Sequence, residues 1–307
     1  MAKTAFLFPG QASQFVGMAK DLYDDFPFAR EIFEKANEIL GFDITKICFE
    51  GPEEELKQTR VTQPAIFIHS YIVGEMLAEK GMQPAMVAGH SLGEYSALVA
   101  ANVLSFEDGL RAVKKRGELM QVAGENQPGT MAAIVGLSAQ IVEQICREAS
   151  HAGVVQPANF NSPSQIVISG SVDGVNKAME LAKEENALKV VPLVVSGAFH
   201  SPLMAPAQKE LQEFLEQLVF ADADIPVYAN VSAKAHIKAD EILPLLIQQL
   251  TSPVRWLETI ENMITDGADS FFEIGPGKVL TGLMKRINRR AKIKNMGTVE
   301  EINALLS

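Results

Sequence analysis

Val87-Ala88-Gly89-His90-Ser91-Leu92-Gly93-Glu94-Tyr95 carries the chain from an apolar run into a helical one through two glycines that flank a serine. Met86 to Ala88 is short and apolar, which predicts a strand, and the apolar periodicity from Leu92 to about Leu104 predicts a helix. A G-x-S-x-G segment at such a junction permits a tight backbone turn that lifts the serine hydroxyl above the sheet edge. The helix that follows aims its unpaired N–H groups at the same point, where they would stabilise a negative oxygen. This arrangement presents a serine nucleophile for acyl transfer. The alternative is a glycine-rich helix start with Ser91 as an ordinary N-cap.

Strands alternate with helices on both sides of this junction. Residues 4–8 predict a strand stopped by Pro9-Gly10, and 28–40 a helix closed by Gly41. Gln63-Pro64 predicts a helix start running to about Lys80, and Ser105-Phe106-Glu107-Asp108 resembles a capping box opening a helix that carries Arg111, Lys114, Lys115 and Arg116. After residue 197, helices are expected at 204–218, 241–250, 256–266 and 278–290, with strands at 226–231 and 270–274. The order implies an α/β domain with a mostly parallel sheet. Between these halves lies a strand at 131–135, a helix at 138–149, strands at 154–159 and 165–169, a helix at 172–185 and a strand at 188–195. This βαββαβ order predicts an inserted ferredoxin-like subdomain. The expected division is 1–125 with 197–307 for the large domain and 126–196 for the small one.

A chain of 307 residues with 47% hydrophobic content can build a sizeable core, and its formal net charge of −11 argues against a nucleic-acid binder. Its two cysteines, Cys48 and Cys146, offer neither a disulfide framework nor metal-ligand spacing. No apolar run approaches the ~20 residues of a membrane span, and the N-terminal run is too short for a signal peptide, so the expected compartment is the cytoplasm.

A serine hydroxyl needs a base to accept its proton. Of five histidines, His90 adjoins Ser91 on a turn where neighbours point apart. His69 lies among Ile66, Ile68 and Ile72, as a packed histidine would; His151 falls at a helix end and His236 in a polar stretch. His200 follows a glycine turn where the chain re-enters the large domain, and is the best base on context. A capping or packed role is its alternative.

Pro9-Gly10-Gln11, Gln63-Pro64-Ala65, Gly89-His90-Ser91-Leu92-Gly93-Glu94, Lys115-Arg116-Gly117, Gly197-Ala198-Phe199-His200-Ser201, Pro253-Val254-Arg255 and Glu273-Ile274-Gly275-Pro276-Gly277 occur in this order. Together they resemble the malonyl-CoA:acyl carrier protein transacylases of fatty acid synthesis and their acyltransferase relatives in polyketide synthases. The resemblance runs from about Ala5 to Arg290. Ala12 and Ala198 depart from it, where glycine and proline are common, and neither replaces a reacting group.

The resemblance implies an acyltransferase that moves malonyl from malonyl-CoA to the phosphopantetheine thiol of acyl carrier protein through a malonyl-serine. In that reading Ser91 is the nucleophile and His200 the base. The main-chain carbonyl of Gln249 orients the histidine, and the N–H groups of Gln11 and Leu92 form the oxyanion hole. Arg116 clamps the malonyl carboxylate, and Gln63 and Phe199 belong to the substrate pocket. No metal or other cofactor is expected. Carrier proteins are acidic as a class, so Lys285, Arg286, Arg289, Arg290, Lys292 and Lys294 are candidates for docking. A malonyl transferase associated with a polyketide synthase or a malonate decarboxylase is the alternative, followed by a serine thioesterase or esterase.

Overall fold

The computed structural model describes residues 3–306. Its strands, among the described residues, are β1 (Lys3–Phe8), β2 (Met86–Gly89), β3 (Gly129–Val135), β4 (Val155–Ser162), β5 (Gln165–Ser171), β6 (Lys189–Pro192), β7 (Val227–Tyr228), β8 (Ala235–His236), β9 (Ala268–Ile274) and β10 (Lys292–Met296). The larger sheet has the order β10-β9-β1-β2-β7-β8, parallel throughout except for the antiparallel β7–β8 pair at one edge. Side chains alternate across it. Phe6, Phe8, Val87 and Phe272 enter one core, while Ala5, Leu7, Met86, Ala88 and Phe271 enter the other. Both faces are covered, which explains why residues 5–8 are apolar without a break. β1 and β2 sit at the centre, so the junction at Ser91 emerges mid-sheet at the carboxyl edge, where open parallel sheets bind ligands.

The smaller sheet has the order β4-β5-β3-β6 with every neighbouring pair antiparallel. Helices Ala139–Ala149 and Val172–Glu184, each capped by a serine side chain (Ser138 and Ser171), cover one face over Ile134, Ile166 and Ile168. From the other face Met131, Ala133 and Val167 join the main core. Two main-chain hydrogen bonds tie β4 to the large unit: Val254 N donates to Ala158 O at 2.8 Å, and Phe160 N to Val254 O at 2.9 Å.

Several boundaries differ from the sequence-based expectation. The helix expected to open at Gln63-Pro64 spans Thr59–Glu79, with Pro64 inside it. The carbonyl that Pro64 leaves without its ladder partner is that of Arg60, in the first turn, where a helix tolerates the loss best. The helix after the serine spans only Gly93–Ala100. Asn102 then takes a left-handed φ of 59° and Val103 N bonds back to Leu98 O at 2.9 Å, a closure that apolar periodicity cannot reveal. The basic helix ends at Ile287, so Arg289 and Arg290 follow it and Lys292 and Lys294 lie on β10. The short strands β8 and β10 and the helix Val299–Leu306 lie outside the expected elements. Among the described residues no helix is long and apolar enough to cross a membrane.

Candidate active site

β2 delivers Gly89 to the centre of the sheet edge, and Ser91 takes a left-handed φ of 52°. That conformation costs a non-glycine residue about 1–2 kcal/mol, so something must hold it. The flanking glycines are part of the answer. A Cβ on Gly89 would lie 1.9 Å from Gly93 C, and one on Gly93 would lie 2.0 Å from Phe8 O. Asn230, just beyond β7, completes the clamp. Its Oδ1 accepts from Ser91 N at 2.7 Å, and its Nδ2 donates to Gly89 O at 2.7 Å.

His200 also has a left-handed φ, 57°, and is 3% exposed. Its Nε2 lies 2.8 Å from Ser91 Oγ and its Nδ1 lies 2.9 Å from the main-chain oxygen of Gln249. A carbonyl can only accept, so Nδ1 carries the proton and Nε2 is free to receive one from the serine. Gln156, on β4, donates to His200 O at 2.8 Å and to Thr251 O at 3.1 Å, fixing the histidine's backbone from the small sheet. Burial, and then the nearby Arg116 charge, push the imidazole down to about 3, against the Gln249 carbonyl, which favours the protonated form. The base is therefore neutral across the ordinary pH range. Sulfonylation of Ser91 by phenylmethylsulfonyl fluoride, a reagent with no titrating group, is expected to proceed at a nearly constant rate from pH 8 to pH 5.5. An unperturbed histidine with a pKa of about 6.5 would slow it roughly tenfold by pH 5.5, and that outcome would refute this protonation state.

Arg116 lies on the helix Phe106–Asn126 and is 1% exposed. Nη1 donates to Gln63 Oε1 at 2.8 Å, and Nη2 to Ser91 Oγ at 3.1 Å and to Gln249 Oε1 at 2.9 Å. Its guanidinium carbon stands 5.6 Å from the centre of the Tyr95 ring. Gln249 in turn donates from Nε2 to Ser91 O at 2.9 Å and to Glu94 Oε2 at 2.7 Å. Gln63, expected in the substrate pocket, sits behind the guanidinium and positions it, 1% exposed. A cleft of about 730 Å³ opens above these groups, between the two sheets. Gln11, Ser91, Met131, Phe199 and His200 are among the residues that line it. The main-chain N–H groups of Gln11 and Leu92 carry no hydrogen bond among the described residues, which leaves both available to an incoming oxygen. Neither do the described residues contain a His, Cys, Asp and Glu cluster fit for a metal.

The structure thus brings Ser91, His200, Arg116 and Gln249 into direct contact, with Gln11 and Phe199 around the opening. Sequence reasoning missed Asn230, Gln156 and the part played by Glu94. The only available signal was positional, an asparagine just past a strand end beside β2. His69 is buried, with Nε2 bonded to Gly297 O at 2.7 Å, and takes no part.

A serine at a strand-to-helix turn, bonded to a histidine and facing a buried arginine, is the site of a serine acyltransferase on an α/β scaffold, and the family described as acyl transferase domain matches residues 5–302. The chain is 50% identical over 293 residues to the malonyl CoA-acyl carrier protein transacylase of Bacillus subtilis, covering 95% of this chain and 92% of that protein. With the Staphylococcus aureus protein of the same name it shares 44% over 303 residues, 98% of each chain. The solved structure of MCAT from Streptococcus pneumoniae superposes with a TM-score of 0.94 at 44% identity over 99% of both chains. A malonyl-transacylase solved in complex with a type II PKS acyl-carrier protein superposes with a TM-score of 0.95 at 40% identity over 99% of each chain. The chain belongs to the malonyl CoA-acyl carrier protein transacylase family.

Proposed function

We propose that this enzyme transfers malonyl from malonyl-CoA to the phosphopantetheine thiol of an acyl carrier protein, supplying fatty acid synthesis in the cytoplasm. The observation that carries this reading is the buried Arg116 guanidinium, hydrogen-bonded to the same Ser91 hydroxyl that meets His200. Ser91 attacks the thioester carbonyl while His200 Nε2 takes its proton, and Gln11 N and Leu92 N hold the oxyanion. His200 returns the proton to the departing CoA sulfur. The carrier thiol then repeats the sequence in reverse. Arg116 pairs with the malonyl carboxylate, which would otherwise be buried alone at a cost of several kcal/mol. Phe199 walls the pocket on the acyl side.

We further infer that residues 126–196 form the expected ferredoxin-like subdomain, carried between the two halves of the large domain, 1–125 and 197–307. The order β4-β5-β3-β6 with two helices on one face supports it.

Intact-mass measurement after incubation with malonyl-CoA tests the function. The chain should gain one malonyl group and lose it on addition of carrier protein, with malonyl-carrier as product. Free malonate as the main product, with carrier present, would instead identify a hydrolase. For docking, Lys285, Arg286, Arg289, Arg290, Lys292 and Lys294 remain the candidates, and Arg286 and Arg290 are the positions to test. Glutamate at both positions should raise the KM for carrier, which should itself rise with salt more steeply than that for malonyl-CoA. An unchanged carrier KM would exclude this surface.

A further inference from the structure

Glu94 is a buried charge with no task in the chemistry above. It lies on the helix that leaves the serine turn and is 2% exposed. Its Oε2 accepts from Gln249 Nε2 at 2.7 Å and from Asn230 N at 3.2 Å. Gln249 then passes the link to Arg116 through its Oε1, at 2.9 Å. The carboxylate decides which way the Gln249 amide faces. Turned over, that amide would set its oxygen against Glu94 and the Ser91 carbonyl, and its NH₂ against the guanidinium. Glu94 thus reaches the site's fixed cation through one amide, and both charges are sealed from water.

The charged and titratable groups coupled to Glu94 are Arg116, on the helix Phe106–Asn126, and Tyr95, on its own helix. From the other elements around it come Asn230 and Gln249, which are neutral, and His200, which burial keeps neutral. Burial raises the Glu94 carboxyl to about 7, against the opposing pull of the Gln249 and Asn230 hydrogen bonds and of Arg116.

We propose that Glu94 is the resident counter-charge of Arg116 in the empty enzyme and takes up a proton when malonyl is loaded onto Ser91, so that the acyl carboxylate replaces it. The charge arithmetic motivates the step. Arg116⁺ and Glu94⁻ balance in the empty site. An ionised malonyl would leave the loaded site with one excess negative charge beside the buried Glu94 and Arg116 side chains at the floor of the cleft, which is unfavourable. One proton from solvent, added to a Glu94 carboxylate oxygen, restores the balance, and it leaves again when the malonyl departs. An acetyl group brings no charge and calls for no proton. The proposal rests on the reading that Arg116 receives the malonyl carboxylate.

The sign of the pH dependence follows. Above about pH 7 the empty enzyme holds Glu94 ionised, so malonyl loading consumes a proton and weakens as pH rises, by up to about tenfold per unit, relative to acetyl loading. Ionisation of the released CoA thiol is common to both donors and cancels in their ratio. The experiment mixes the unmodified enzyme with malonyl-CoA or acetyl-CoA at pH 8, in weak buffer containing a pH indicator, at matched extents of acylation read by intact mass. Malonyl loading should take up close to one proton per acyl-enzyme beyond the acetyl trace. Equal traces overturn the proposal. In Glu94→Gln, whose amide oxygen can still accept from Gln249 and Asn230, the excess uptake should vanish and the malonyl-to-acetyl loading ratio should become independent of pH. A persisting slope in that variant also overturns it. If the variant does not fold, the trace from the unmodified enzyme decides. An Arg116→Ala variant that keeps its malonyl preference defeats the underlying reading, whereas equal proton traces in the unmodified enzyme, with that preference lost in the variant, defeat this inference alone.

Discussion

Ser91→Ala is expected to gain no mass with malonyl-CoA and to malonylate carrier protein slower by on the order of 10⁶-fold, the loss seen when a serine nucleophile is removed from an intact site. Neither cysteine can stand in. Cys48 and Cys146 are buried thiols, each pushed up to about 12 by burial, so neither supplies a thiolate. The same substitution leaves the left-handed φ of 52° in place, and Ser91→Gly separates the two effects. Glycine should be equally inactive yet raise the melting temperature relative to alanine, because it relieves about 1 kcal/mol of backbone strain. Stoichiometric malonylation of the alanine variant would mean the acyl group rests elsewhere.

Arg116→Ala should reduce malonyl transfer by roughly 10² to 5 × 10³-fold, which corresponds to the ~3–5 kcal/mol lost when a buried charge loses its partner. Acetyl transfer should fall by only about tenfold. That smaller loss reflects the Arg116 Nη2 hydrogen bond to Ser91 Oγ, which serves the nucleophile whatever acyl group arrives. The ratio of the two rates is therefore the diagnostic quantity, and equal losses would remove Arg116 from carboxylate recognition. Arg116→Lys should recover little, since a single ammonium cannot span Gln63, Gln249 and a carboxylate in one plane.

Legibility in the sequence followed the range of the interactions involved. The turn at Ser91 was readable because the pattern that marks it is local, a strand, two flanking glycines and a helix start, although Asn230 and Phe8 help to hold it from afar. Helix ends set by tertiary contact were not, as with Thr59–Glu79, whose first turn is tied to distant segments by Thr59 Oγ1 with Ser196 Oγ at 2.8 Å and by Arg60 N donating to Gln121 Oε1 at 3.3 Å. His200 could be singled out by its context but not placed, because 109 positions separate it from Ser91. Asn230 and Gln156 escaped altogether. Each acts through an amide on a distant backbone, and an isolated Asn or Gln carries no pattern to read. Gln63 was found, but its contact with the Arg116 guanidinium was not, since a motif records that a residue matters and not which side of the arginine it occupies.

The tie between β4 and the large sheet sets a limit on how such an enzyme can be rebuilt. Gln156 grips the carbonyl of His200, and the main chain on either side of Asn159 is bonded to Val254. The base is thus seated partly by a segment that otherwise contributes cleft wall. Exchanging 126–196 for the corresponding piece of a relative, with the aim of changing which acyl group is accepted, would transplant part of the catalyst's alignment along with its selectivity. Productive chimeras should be those that carry Gln156 and its two carbonyl partners across the graft as one unit, and the small sheet should evolve in step with the 249–254 segment rather than as a detachable module.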